Sequence, residues 1–117
     1  MKSQVAIRER YLRDPLPIRL GGLAANLARI QSFSGHPDHC EVVEGLLDES
    51  KLFIEWVAPE AGPQLQAELL ELQRQIVQWH RNWTRIWDDP AKRAAVAESA
   101  GVWSRNVLER SGLLDQR

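Results

Sequence analysis

This chain is poor in the groups that build catalytic or covalent devices. It has one cysteine, Cys40, and three histidines. A single cysteine excludes an intrachain disulfide and fits a reducing compartment. No run of ~18 uninterrupted apolar residues occurs, so a membrane-spanning helix is not expected. The stretch from Met1 to Arg10 has neither a long apolar run nor a cleavage pattern. No signal peptide is therefore expected, and the expected location is the cytoplasm. Alternating apolar and polar residues, internal repeats and low-complexity tracts are also lacking. There is no phosphate-binding glycine loop, no nucleophile elbow and no clear acid–base pair of carboxylates. Gly21-Gly22 falls inside a helical stretch and cannot serve as such a loop.

What is present is helical. The 117 residues are the size of one domain, long enough to bury roughly two-thirds of the unfolded surface. Leu65, Leu69, Leu72, Ile76, Trp79, Trp83 and Ile86 recur at alternating steps of four and three, and Trp87 adds an indole one turn past Trp83. That is the inward seam of one long helix in a bundle. Punctuation divides the rest. Asp14-Pro15 reads as a cap followed by a first-turn proline, Asp38 with Glu41 as a capping box, and Asp89-Pro90 as a restart. Gly35 and Gly112 read as C-terminal stops. Four helices are predicted, at about 15–34, 38–58, 63–87 and 90–111, with residues 1–13 a short helix or arm. Short connections favour an all-α, up-down-up-down antiparallel four-helix bundle.

The expected core takes Leu20, Leu23, Leu27 and Ile30 from the first helix. The second contributes Val43, Leu46, Leu47, Phe53, Ile54 and Val57. The fourth contributes Val96, Ala100, Trp103, Val107 and Leu108. Small residues crowd the first and fourth helices, among them Gly21, Gly22, Ala24, Ala97 and Gly101. Glycine inside a helix costs about 1 kcal/mol relative to alanine, and room for the indoles of the third helix is the expected compensation.

Charge is segregated along the chain. Residues 1–36 carry six Lys/Arg against two acids, and residues 37–62 carry one Lys against seven acids, within a net charge of −1. An acidic helix beside a basic one is the expected reading, with Arg74, Arg81 and Arg85 solvated or paired with acids of the second helix. A nucleic-acid binder shows a net basic face, which the chain as a whole does not.

Two features invite a functional reading. Val42, Leu52 and Trp56 lie on a second apolar stripe of the second helix. This is either a flank covered by neighbouring chain or a homodimer face anchored by Trp56. In an up-down bundle, His36, His39, Cys40 and His80 all fall at the end that holds Trp83 and Trp87. Imidazoles and a thiolate suit zinc or a related transition metal. Their spacing matches no strong zinc pattern, and capping or surface roles explain the same residues. Cys40 at a helix start reads either as a reactive thiol or as a small packed residue.

Two resemblances bear on function. Arg74 and His80 form Arg-x5-His, which resembles the Arg-x4-6-His motif of the HEPN helical ribonucleases, although Gln75 follows the arginine where that family has Asn, Asp or His. The resemblance implies an RNA-cleaving pair, Arg74 and His80, and covers these two residues alone. Asp14-Pro15-Leu16-Pro17-Ile18-Arg19-Leu20-Gly21-Gly22-Leu23, with Phe53-Ile54-Glu55-Trp56 and Ala94-Ala95-Val96-Ala97-Glu98, resembles small helical proteins of cyanobacteria that have no assigned activity. That resemblance implies a soluble bacterial protein and supplies no functional residue. The overall expectation is a non-enzymatic bundle acting through protein–protein contacts as a homodimer. A metal- or ligand-binding bundle and a HEPN-like ribonuclease are the alternatives.

Overall fold

The structure is a computed structural model that describes residues 4–115. Within those residues six α-helices follow one another: α1 (Gln4–Arg13), α2 (Leu16–Phe33), α3 (Cys40–Val57), α4 (Pro63–Arg81), α5 (Trp83–Asp88) and α6 (Pro90–Ser111). Short 3-10 turns at Pro37–His39, Ala58–Glu60 and Leu113–Asp115 complete the chain, and the described residues contain no strand. The expected N-terminal arm is helical from Gln4; Met1, Lys2 and Ser3 lie outside the described residues.

Local signals succeed where the cap is the residue directly before the helix. The Asp89 carboxylate accepts from the Ala91 and Lys92 amides, and Gly112 takes φ 83° at the end of α6. Two other caps differ from expectation. Pro15 itself holds the extended cap position of α2, so Asp14 stands one residue too early to cap. At α3 a 3-10 turn intervenes, and the His36 ring, not Asp38, takes the capping role by accepting from the Asp38 amide at 3.2 Å. Gly35 is not needed in a left-handed conformation; among the described residues only Gly112 has positive φ.

The predicted long third helix is broken at Asn82, whose φ of −106° and ψ of 20° leave the helical region. Its side chain donates to the Gln78 carbonyl at 2.9 Å. An asparagine that hydrogen-bonds the preceding turn competes with helix continuation. The seam nonetheless resumes in α5, where Trp83, Ile86 and Trp87 are buried.

The core follows the apolar periodicity. Leu20, Leu23, Leu27, Ile30, Leu47, Ile54, Leu69, Leu72 and Ile76 are fully buried, while Leu46, Leu65, Trp79, Trp103 and Leu108 are partly covered against them. α2 packs on α3 and α6, α3 packs on α4, and α4 meets α6. The α2–α6 contact is the most extensive. At this contact two of the glycines meet neighbours other than the expected indoles. A Cβ on Gly101 would collide with the Gln31 side chain of α2, and one on Gly21 would stand 2.7 Å from Leu113. The atoms nearest to these two glycines belong to the side chains of Gln31 and Leu113, not to an indole of the third predicted helix. Ser104 Oγ seals the same contact by donating to the Ala24 carbonyl at 2.7 Å.

Arg19 ties the opposite end together. It is only 5% exposed. Its Nε donates to the Asp14 carbonyl at 2.9 Å, and its two terminal nitrogens each donate to a Glu60 carboxylate oxygen at 2.7 Å. The buried Tyr11 hydroxyl donates to the Arg19 carbonyl at 2.7 Å, which fixes α1 to α2.

Candidate functional site

The α2–α3 connection and the first residue of α3 carry three of the four residues expected at a metal site. His36 Nδ1 is occupied by the Asp38 amide, and the carboxylate of Asp38 lies 3.6 Å from the same nitrogen. His39 Nδ1 lies 3.3 Å from the Phe33 carbonyl, and the ring stands edge-on to Phe33 at 5.1 Å. The two imidazoles face each other loosely, with centroids 5.3 Å apart. Cys40, the first residue of α3, is half-buried and packs against the core.

His80, the fourth residue, belongs to a different constellation. It projects from α4 onto the acidic side of α3. Its Nε2 is 3.2 Å from Glu44, and its Nδ1 is 2.8 Å from Lys51 Nζ and 3.3 Å from Asp48. Lys51 in turn lies 3.4 Å from Asp48. One neutral tautomer satisfies the two hydrogen bonds: Nε2–H donates to Glu44, and Nδ1 accepts from the Lys51 ammonium. Among the described residues, no three His, Cys, Asp or Glu side chains are placed to share a metal ion. The four residues read together from the sequence are thus distributed between a turn and an interhelical latch.

The partners of His80 were legible as a pattern but were not singled out. Glu44, Asp48 and Lys51 recur at steps of four and three, one polar stripe of α3 between its apolar ones. The tryptophans close this end of the molecule. Trp83 and Trp87 are 5.2 Å apart, Trp87 Nε1 donates to the Pro37 carbonyl at 2.7 Å, and the Arg93 guanidinium lies over the Trp87 ring at 5.3 Å. Between α3 and the α4–α5 break, an open hollow of about 300 Å³ is lined by Glu44, His80, Arg81, Asn82 and Arg85, among others.

Arg74 does not join His80. It is exposed and donates through Nε to Glu71 at 3.1 Å, one turn back on its own helix, while His80 faces α3. Of the two expectations for Arg74, solvated surface fits, and the ion pair it makes is with Glu71 of its own helix and not with an acid of the second predicted helix. The pairing that crosses from basic to acidic chain is instead Arg19 with Glu60, assisted by Asn26, which donates to Glu49 at 3.0 Å.

The second apolar stripe of α3 is divided. Trp56 is half-buried, with its ring 5.9 Å from Tyr11 and 6.1 Å from Phe53, and Tyr11 stacks on Phe53 at 4.0 Å. α1 therefore takes up part of the apolar surface around Trp56. Leu52 is half-buried, whereas Val42 is 49% exposed.

No protein family, no curated protein and no solved structure matches this chain.

Proposed function

We propose that this chain is a non-catalytic helical protein that works through protein–protein contacts in the cytoplasm, with a second copy of itself as its first partner. Its architecture in this reading is an up-down-up-down antiparallel four-helix bundle of α2, α3, α4 and α6, with α1 and α5 as additions. The cross-contacts support that architecture because they run in opposite order along neighbouring helices. Asn26 meets Glu49 while Arg19 meets Glu60, and Gln75 meets Ser99 while Glu68 meets Arg110.

One contrast carries the functional reading. Each of the three histidines at that end has a ring nitrogen engaged by an internal partner, whereas large apolar side chains stand on outer helix faces. Leu70, Val42 and Val102 are exposed on α4, α3 and α6. No helix among the described residues is long and apolar enough to cross a membrane. Where such side chains join others along one helix face, a protein partner is the cover this reading proposes. Light scattering of the purified chain over a wide concentration range tests the reading. A mass rising toward the dimer is expected, and a monomer at every concentration overturns self-association.

A further inference from the structure

α4 has two seams. The inner one, Leu69, Leu72 and Ile76, is buried in the core. An outer one runs through Ala67, Leu70, Arg74, Val77 and Arg81, at alternating steps of three and four, and all five residues are exposed. Leu70 is 58% and Val77 38% exposed. A single exposed leucine needs no explanation. An apolar and aliphatic-stemmed seam at coiled-coil spacing over four turns is the pattern a second helix covers.

We infer that the outer seam of α4 is covered by α4 of a second copy of this chain, packed antiparallel about a twofold axis near residue 72. This deepens the self-association reading and rests on it. The charge order on α4 carries the argument. Glu71 precedes Arg74, and the two already form an ion pair within one chain. An antiparallel copy brings its Arg74 beside Glu71 and its Glu71 beside Arg74, so two neutral pairs merge into one alternating group of four charges. A parallel copy would set like charges together, which disfavours that arrangement. The same twofold register places Ala67 of each copy beside Val77 of the other, small against branched, and Leu70 beside the aliphatic stem of Arg74. The patch is self-complementary, as an isologous interface requires. One helix pair covers less than the roughly 800 Å² per partner of a standard interface, so the dimer is expected to be concentration-dependent.

Sedimentation velocity on the full chain, with circular dichroism as a check on helicity, tests the inference. Leu70→Lys, which sets a second cation beside Arg74 of the other copy, and Val77→Glu should each weaken the dimer by about tenfold or more while retaining helicity. Glu71→Arg and Arg74→Glu alone should also weaken it, because each places like charges across the axis. Mixing these two charge variants should restore association as a heterodimer. A dimer that ignores all four substitutions overturns the α4 assignment and leaves self-association standing. A wild-type chain that stays monomeric overturns both.

Discussion

Arg19 and Glu60, 41 positions apart in the chain, meet as a two-pronged ion pair with both N–O distances at 2.7 Å. The pair is asymmetric. The Arg19 side chain is 5% exposed, but that of Glu60 is 51% exposed. Breaking it from either side therefore has different consequences. Arg19→Met removes the buried charge together with its hydrogen bond to the Asp14 carbonyl, and lets Glu60 return to water. A loss of about 2 kcal/mol is expected, read from urea unfolding. Glu60→Gln leaves the guanidinium buried without its counter-charge, and should destabilise more than an ordinary surface substitution does. If both variants unfold at the wild-type midpoint, the pair is not a tie between the two ends of the chain.

The same pair sets a pH dependence. Hydrogen bonding to Arg19 holds the Glu60 carboxyl below its ordinary value of 4.5, and Arg74 does the same for Glu71. A carboxyl whose folded-state value is depressed stabilises fully above the unfolded value, and that stabilisation is lost as pH falls through the folded value. Stability should therefore decline below about pH 4.5. Glu60→Gln should make the decline shallower. Unfolding midpoints measured from about pH 7 to about pH 3 check this, and a slope unchanged in the variant would contradict it.

The limits of sequence reading follow from how local each signal is. Asp89 and Gly112 were legible because capping and left-handed stops depend on the adjacent backbone alone. Asp38 was misread because Pro37 starts a 3-10 turn first, which delays α3 to Cys40. The seam from Leu65 to Trp87 correctly marked a buried face, but periodicity reports the face and not backbone continuity, so the break at Asn82 was invisible. At the histidine end, chain order placed His36, His39, Cys40 and His80 on one side of the molecule. Which way His80 turns about α4 depends on Glu44, Asp48 and Lys51 across the interface, and no local signal encodes that.

The latch around His80 leads to a prediction about metal and one about packing. Because its two ring nitrogens engage Glu44 and Lys51, His80 is not free to complete a site with His36, His39 and Cys40. Protein purified without a histidine tag should contain substoichiometric zinc, and one equivalent removed by chelation with loss of structure would overturn the latch. His80→Ala should cost about 1 kcal/mol, from two partly exposed hydrogen bonds.

Gly101 separates close approach from overpacking. The obstacle to a Cβ there is the terminal amide of Gln31, an exposed and flexible group. Gly101→Ala can displace that amide, and it gains helix propensity worth about 1 kcal/mol, so its melting temperature should stay close to wild type. Gly101→Leu must push α2 away from α6 and should lose about 1–3 kcal/mol. Equal melting temperatures for the two variants would mean that the α2–α6 distance is not set at this position.

The paired tryptophans offer an internal control, since the same substitution has opposite hydrogen-bond consequences at two neighbouring sites. Trp87 Nε1 donates to the Pro37 carbonyl, whereas the buried Trp83 Nε1 has no hydrogen-bond partner among the described residues. Replacing either by phenylalanine removes comparable ring volume. Trp87→Phe also strands the Pro37 carbonyl and weakens the stacking of Arg93. Trp83→Phe instead relieves an unsatisfied buried donor, which offsets part of the packing loss. Trp87→Phe should therefore be the more destabilising by about 1–2 kcal/mol. Thermal unfolding of the two variants side by side decides the matter, and a larger loss for Trp83→Phe would show that ring packing, not hydrogen bonding, governs this end of the molecule.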